Sequence, residues 1–186
     1  MNKSNHDTPT NALERTVGGE EAVSVIAAYP GPFKCPRTAP SHGLIVHRHD
    51  VIVRKLTSLA EASGFTVTVE PTLRHDDQVY KPDLIAVKGG KAWVLDVAIP
   101  FESNDALARR YAEKCRKYTC LADPVLKLTG AKEFGTGSIV IGARGAWCSR
   151  NAGTLKEMAW NISEPCKALL CVMTLERTNQ LVHASH

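Results

Sequence analysis

The sequence predicts an α/β protein with a central mixed sheet of about four strands flanked by helices, in the order α-β-β-β-α-β-α. Three observations carry this prediction. Two strand-like runs are joined by a Gly-Gly pair, helical spacing of apolar residues precedes and follows them, and a later apolar run, GSIVIGA, is typical of a buried strand. With 186 residues, 44% of them hydrophobic, the chain is long enough for one domain with a core.

The first predicted helix covers residues 42–63, and Gly64 follows as its C-terminal cap. Its apolar stripe comprises Leu44, Ile45, Val51, Ile52, Leu56, Leu59 and Ala60. Alternation in FTVTVE predicts a strand at 65–70, and the polar residues 71–80 predict a loop.

The next two strands form a predicted hairpin, PDLIAVK and KAWVLDVAI, with Gly89 and Gly90 as its two-residue turn. Such a turn fixes the register, so that paired residue numbers sum to 179. Asp83 and Asp96 sum to 179, and they are therefore expected to face each other.

The chain then predicts a helix at 103–123, with Ser103, Asn104 or Asp105 as N-cap and Asp123-Pro124 as its end. A strand at 137–143 and a helix at 153–161 follow a glycine-rich loop. The last element, 167–175, is apolar, and its type stays open.

Composition divides the chain into a flexible leader at 1–28, a domain at 29–176 and a C-terminal tail at 177–186. The leader holds two bases and four acids, so a formal charge of +4 for the whole chain leaves +6 for the remainder. This mildly basic balance permits a nucleic-acid partner through phosphate contacts.

The sequence predicts an intracellular protein without a membrane partner. No apolar run approaches the roughly 18 residues that cross a bilayer, and the N-terminus lacks the apolar core of a signal peptide. Six scattered cysteines show neither a CxxC pair nor a Cys/His quartet for zinc, which indicates reduced thiols.

The negative charges of two facing aspartates in otherwise apolar strands require a compensating positive charge. Their β-carbons would lie about 4.5–5.5 Å apart, where like charges destabilise a sheet. A divalent cation provides that compensation, and Mg²⁺, with Mn²⁺ as a substitute, fits a carboxylate pair better than zinc does. The alternative is structural, with Asp83 at an exposed strand start and Asp96 paired with a base.

The helix after the hairpin supplies cationic candidates. Tyr111, Lys114, Lys117 and Tyr118 recur at spacings of three and four and share one face. A lysine beside two carboxylates and a metal can polarise the attacking water or stabilise phosphate charge. The alternative is a solvated basic face for the lysines and a core position for the tyrosines.

Lys81-Pro82-Asp83, the thirteen-residue step to Asp96 in LDVAI, and AEKCRKY together resemble the restriction-like endonuclease domain of site-specific non-LTR retrotransposons, a PD-(D/E)xK nuclease. CPRT at 35–38, HRHD at 47–50, Glu70-Pro71 and GARGAWCSRN at 142–151 extend the resemblance over residues 33–160. It implies a restriction-endonuclease-like core, a metal at Asp83 and Asp96, and a catalytic lysine on the following helix.

The sequence agrees with that displacement of the lysine, because Ala98 stands where the strand lysine of related nucleases would be. Lys114 is the first choice, and Lys117 with Tyr118 completes the family's K..KY pattern. One departure concerns Cys35, which matches the last ligand of a zinc knuckle whose other ligands are missing.

The resemblance also implies further site residues. His49 is expected to orient water or contact phosphate, with a helix-surface position as the alternative. Glu70 is an outer-sphere metal partner if its strand neighbours the hairpin; otherwise it merely ends the strand. The predicted DNA contacts are Lys81, Arg48, Arg74, Arg109 and Arg110.

The resemblance implies hydrolysis of one DNA strand, whose 3′-hydroxyl primes reverse transcription in a complex of reverse transcriptase and RNA, and hence a nuclear protein. Two alternatives stay open: a catalytically inactive DNA-binding or assembly module, and a cellular junction-resolving or repair nuclease of the same superfamily. The DNA target, the number of metals and the oligomeric state are left undetermined by the sequence.

Overall fold

The computed structural model describes residues 40–103 and 105–183. Its main sheet has four strands in the order β1-β4-β5-β6: β1 (Thr66–Val69), β4 (Leu84–Lys88), β5 (Lys91–Ala98) and β6 (Glu133–Val140). β4 is antiparallel to β1 and β5, whereas β5 and β6 are parallel. The predicted α/β class and mixed four-stranded sheet are confirmed.

The register of the β4–β5 hairpin is also confirmed. Leu84 pairs with Leu95 and Lys88 with Lys91, so each pair of numbers sums to 179. The turn residues Gly89 and Gly90 have φ values of 59° and 78°, which glycine adopts without steric cost.

Helices cover both faces of the sheet. One face packs against α1 (Pro40–Ala62), α4 (Asn151–Glu157) and α5 (Glu164–His183), in a core that includes Ile52, Leu56, Leu95, Leu155 and Leu170. Gly64 follows α1 with a φ of 83°, as expected of its cap.

The opposite face of the sheet is covered by the chain between β5 and β6. α2 (Ala106–Lys117), a 3₁₀ turn (Thr119–Leu121) and α3 (Ala122–Thr129) follow one another there. Its core includes Ile85, Val94, Tyr118, Leu121 and Val125.

The prediction of one continuous helix at 103–123 is therefore wrong. The segment is broken after Lys117, and the helical structure continues to Thr129. Asp123-Pro124 does not terminate it, because Pro124 lies in the first turn of α3, where a missing N–H leaves no intrahelical bond unmade. The break falls at Tyr118, which leaves helical geometry with φ −110° and ψ 10° and buries its side chain under the sheet.

The loop predicted at 71–80 is instead a small hairpin of β2 (Leu73–His75) and β3 (Gln78–Tyr80). Its turn residues Asp76 and Asp77 have φ values of 46° and 59°, a conformation that aspartate tolerates better than most residues. The Asp76-Asp77 pair indicates a two-residue hairpin turn, but the polar composition of the segment favoured the prediction of a loop.

Of the tail predicted at 177–186, residues 177–183 are helical, since α5 continues to His183 and buries Thr178. The open element at 167–175 is the middle of this helix. The leader at 1–28 and the domain start at 29 lie outside the described residues. Within the described part, no helix is long and apolar enough to cross a membrane.

Candidate active site

Asp96 and Asp83 lie at one end of the main sheet. Asp96 belongs to β5 and shares a face with Val94, whereas Asp83 directly precedes β4. Extending the hairpin register by one residue places the two aspartates opposite each other. Asp83 is held by the backbone, because its Oδ2 accepts a 2.6 Å hydrogen bond from the amide of Val97.

The Asp96 carboxylate is buried, with 3% of its side chain exposed. Oδ1 accepts a 2.8 Å hydrogen bond from the Tyr118 hydroxyl, and Oδ2 forms an ion pair with the Lys114 ammonium. Burial and the negative charge of Asp83 raise the pKa of Asp96, against the opposing effects of Lys114 and Tyr118.

Lys117 and Tyr118 continue this network. The Lys117 ammonium donates to the Tyr118 hydroxyl over 2.8 Å and lies 4.7 Å from the centre of its ring. Burial, followed by the charge of Asp96, raises the pKa of Tyr118, so the phenol stays protonated as a donor. The structure thus brings Lys114 and Tyr118 to the predicted carboxylate of Asp96 and brings Lys117 to Tyr118.

His49 reaches the same site from α1. Its Nε2 lies 3.3 Å from Asp83 Oδ2 and 3.3 Å from the carbonyl oxygen of Val97. Burial lowers the pKa of His49, but the hydrogen bond and charge of Asp83 outweigh it and raise the pKa to about 8. The His49 side chain is 29% exposed, and its ring contacts Asp83 from the edge of the site.

Glu70 follows β1, which pairs with β4 and so neighbours the hairpin, as an outer-sphere role for Glu70 would require. Its amide donates a 2.8 Å hydrogen bond to the carbonyl of Asp83, while its side chain is exposed. The backbone at Glu70 has a φ of 48°, which is uncommon for a non-glycine residue. The backbone of Glu70 thus lies beside that of Asp83, and the described contacts include none between the Glu70 carboxylate and the two aspartates.

Four of the predicted DNA contacts are exposed: Lys81, Arg74, Arg109 and Arg110. Lys81 directly precedes the Pro82-Asp83 pair, and the Arg110 guanidinium pairs with Glu113 at 3.0 Å. All four side chains can therefore meet a phosphate without any rearrangement of the core.

Arg48 requires a correction, because its side chain is buried and not on the surface. Its Nη1 donates to Thr178 Oγ1 over 2.8 Å, and its Nη2 contacts the carbonyl of Ile99 at 3.5 Å. Burial lowers the pKa of Arg48. Arg48 thus joins α1 to α5 and to the residue that follows β5, and its burial keeps its guanidinium away from the surface where DNA would bind.

The loop within the GARGAWCSRN segment has a structural role that the motif alone did not reveal. Glu102 accepts a 2.8 Å hydrogen bond from the Arg144 amide and a 3.2 Å hydrogen bond from its guanidinium. A β-carbon on Gly142 would collide with the Glu102 carboxylate. Because residue 142 is a glycine, the Glu102 carboxylate fits beside it and links the segment after β5 to the loop after β6 through Arg144.

Sequence reasoning missed the polar residues behind Asp96, namely Ser138 on β6 and Thr154 on α4. The Ser138 hydroxyl donates to the carbonyl of Asp96 over 2.8 Å. Thr154 is only 2% exposed and contacts Ser138 and Tyr111. The available signal was Gly137, a glycine inside a strand, which often marks a close approach of another chain segment.

The donor set fits a magnesium ion better than a softer metal. Asp83 and Asp96 offer carboxylate oxygens, and beyond the ion pair with Lys114, Asp96 Oδ2 accepts no hydrogen bond from the described residues. Across those residues there is no group of three or more His, Cys, Asp or Glu side chains that could enclose a metal. Remaining ligands would have to be water, backbone carbonyl or phosphate, as Mg²⁺ accepts.

The cysteines of the described part are all free thiols: Cys115, Cys120, Cys148, Cys166 and Cys171. Cys35, for which the resemblance raised a zinc role, lies outside the described residues, as does CPRT. No zinc ligand set is therefore defined by the structure.

Fold and site together define an α/β protein whose mixed sheet carries two adjacent carboxylates and a lysine ammonium at one end. The chain is homologous to the Pol polyproteins of R2 non-LTR retrotransposons over about two-thirds of its length. No protein-family model matches it.

Three of these relatives illustrate the similarity. A retrovirus-related Pol polyprotein from type-1 retrotransposable element R2 of Popillia japonica is 34% identical over 122 residues, which are 63% of this chain and 24% of the relative. A second one from that organism is 30% identical over 135 residues, covering 68% and 18%. The polyprotein from type-2 element R2DM of Drosophila melanogaster is 27% identical over 124 residues, covering 66% and 11%. The chain thus spans about a quarter or less of these curated relatives.

Proposed function

We propose that this chain is a Mg²⁺-dependent DNA endonuclease that hydrolyses one strand of its target during retrotransposition. The observation that carries the proposal is the meeting of Asp83, Asp96 and Lys114, two carboxylates and an ammonium drawn from a hairpin and a separate helix. Homology to retrotransposon Pol polyproteins supports DNA as the substrate.

Asp83 and Asp96 would hold the metal through their carboxylate oxygens. Bound Mg²⁺ supplies an acidified water as nucleophile and charge stabilisation for the leaving 3′-oxygen. Mn²⁺ is expected to substitute, because it accepts the same oxygen ligands.

The remaining residues act on charge and orientation. Lys114, with its ammonium on Asp96, is placed to stabilise the negative charge that develops on the phosphate. Tyr118 donates to the other oxygen of Asp96 and so fixes the plane of that carboxylate. His49 holds Asp83 from the side of α1.

DNA would bind along the exposed lysine and arginine side chains near this end of the sheet. Lys81 and Arg74 precede the hairpin, and Arg109 lies on the helix that carries Lys114. Such contacts position the backbone without reading its sequence. A DNA substrate in the genome makes a nuclear location part of the same proposal, with the 3′-hydroxyl of the nicked strand available to a reverse transcriptase and its RNA.

The proposal is tested by plasmid nicking at increasing Mg²⁺ concentration. Asp83→Asn and Asp96→Asn should each lower the nicking rate by at least about 100-fold, because each removes a metal-binding charge while keeping the side-chain shape. Asp77→Asn is the matched control, since Asp77 is exposed in the β2–β3 turn and asparagine tolerates its positive φ.

Nicking by either site variant at the parental rate would refute the proposal. A gel shift with the same DNA separates the main alternative, a DNA-binding or assembly module without activity. That module would retain DNA equally well with and without Mg²⁺ and would leave the plasmid intact in the parent protein.

A further inference from the structure

The helix that carries Lys114 packs on β6 and β5. No residue of α2 is fully buried, and its N-cap, Asp105, makes no capping hydrogen bond with its side chain. Leu107 and Tyr111 pack only partly against a small cluster of Ala98, Val140 and Cys148. The polar contacts of this helix therefore add to its packing in setting the position of the Lys114 ammonium.

Tyr111 makes the contact that reaches furthest into the molecule. Its hydroxyl lies 2.9 Å from Thr154 Oγ1 on α4. Thr154 Oγ1 also contacts the carbonyl of Ser138 at 3.1 Å and the amide of Ser138 at 3.2 Å. A threonine hydroxyl has one proton and two lone pairs, so it donates to the carbonyl and accepts from the amide and from Tyr111.

This network ends at the backbone carbonyl of Asp96, the residue whose carboxylate pairs with Lys114. Ser138 uses its own hydroxyl to donate to the carbonyl of Asp96 over 2.8 Å. Tyr111 is therefore joined to the main chain of Asp96 through the hydroxyl of Thr154 and then through Ser138. Tyr111 also stands three residues before Lys114, on the same face of α2.

Two glycines make room for the network. A β-carbon at Gly137 would lie 2.6 Å from Thr154 Cγ2, and one at Gly153 would lie 3.4 Å from the Tyr111 hydroxyl. The main chain thus allows Thr154 to approach β6 and Tyr111 to approach α4. A tyrosine that only filled the core would require neither the close contact at Gly137 nor the one at Gly153.

We propose that Tyr111 is a positioning residue, which holds α2 through Thr154 and Ser138 so that Lys114 stays in register with Asp96. Tyr111 touches neither metal nor substrate and acts through Lys114. This role rests on the proposed nuclease function, although the structural link can be tested without activity.

The kinetic test compares Tyr111→Phe, Lys114→Met and the double variant in Mg²⁺-dependent plasmid nicking. Tyr111→Phe keeps the ring and removes one hydrogen bond, so kcat should fall about three- to tenfold with KM for the plasmid unchanged. In the Lys114→Met background the same change should alter the rate by less than about twofold, because its effect passes through Lys114.

Tyr80→Phe is the matched control, since it also loses a phenolic hydrogen bond, the 3.0 Å bond to Gln78. Its rate should stay within about twofold of the parent. Thr154→Val should lower the nicking rate, because valine lacks the hydroxyl. Thr154→Ser should keep the parental rate, because serine retains it. A full additional loss in the double variant, or a parental rate for Tyr111→Phe, overturns the proposal.

Amide hydrogen exchange separates this proposal from the proposed function. Tyr111→Phe should speed exchange in α2 by about three- to tenfold, and Tyr80→Phe should leave α2 unchanged. If the parent never nicks DNA, the proposed function fails while faster exchange still supports the link from Tyr111 to Lys114. Unchanged exchange in Tyr111→Phe refutes that link whatever the activity.

Discussion

At the scale of single residues, the molecule is organised around the negative charge of two neighbouring aspartates. Asp96 is buried, and its pKa is raised by that burial and by the charge of Asp83. One ammonium, that of Lys114, is placed on its buried oxygen. A buried carboxylate without its partner is costly, so Lys114 is expected to matter for stability as well as for chemistry.

Lys114→Met should therefore lower the free energy of unfolding by about 3 kcal/mol at pH 7 without metal, the lower end for breaking a buried pair, since Lys114 is 21% exposed. It should also lower the Mg²⁺-dependent nicking rate by roughly 100-fold. Urea denaturation and plasmid nicking measure the two effects.

Arg116→Met provides the control on the same helix, because Arg116 is exposed and forms no described contact with the aspartates. It should change the free energy of unfolding by less than about 0.5 kcal/mol. Equal stability for both methionine variants would show that the Lys114–Asp96 pair contributes nothing to folding.

At the scale of elements, the close packing of α4 on β6 determines how the site is supported. Gly137 lies in β6, and a β-carbon there would stand 2.6 Å from Thr154 Cγ2 and 2.9 Å from Leu95 Cδ2. Neither neighbour can retreat easily, because both belong to the packed interior. The absence of a side chain at 137 is thus a requirement of the contact between the two elements.

Gly137→Ala should lower the free energy of unfolding by about 1–3 kcal/mol through overpacking. Gly43→Ala is the same chemical change in α1, where no atom lies within 4 Å, and it should instead raise stability by about 0.5–1 kcal/mol. Urea titrations of both variants measure the difference. A Gly137→Ala protein as stable as the parent would contradict the close approach of Thr154.

At the scale of the whole molecule, the two long helices α1 and α5 close one face of the sheet. Ile52, Leu56 and Leu170 belong to the same core. Arg48 and Thr178 join the two helices by a buried hydrogen bond. The C-terminal turns of α5 therefore belong to the folded domain.

A chain ending at residue 176 should be less stable than the full chain by at least about 2 kcal/mol, because the buried Arg48 guanidinium loses its hydroxyl acceptor and α5 loses its last turns. A chain ending at residue 183 keeps α5 and serves as the length control. Thermal or urea unfolding measures both proteins. Equal stability of the two would show that residues 177–183 lie outside the cooperative fold.

Much of the fold was predictable wherever short-range rules decide the structure. The Gly89-Gly90 turn fixed the register of β4 and β5, and helical periodicity located α1. Longer-range features were less predictable. Pro124 was interpreted as a helix end although it begins α3, and the Asp76-Asp77 turn was hidden in a polar segment.

The candidate site divides in the same way. The sequence by itself determined that Asp83 and Asp96 face each other, because a two-residue turn leaves a hairpin only one register. Only the tertiary structure decided that Lys114, Tyr118 and His49 meet them and that Arg48 is buried. Those contacts join segments more than ten residues apart, and their geometry depends on how helices pack on the sheet, which no local pattern encodes.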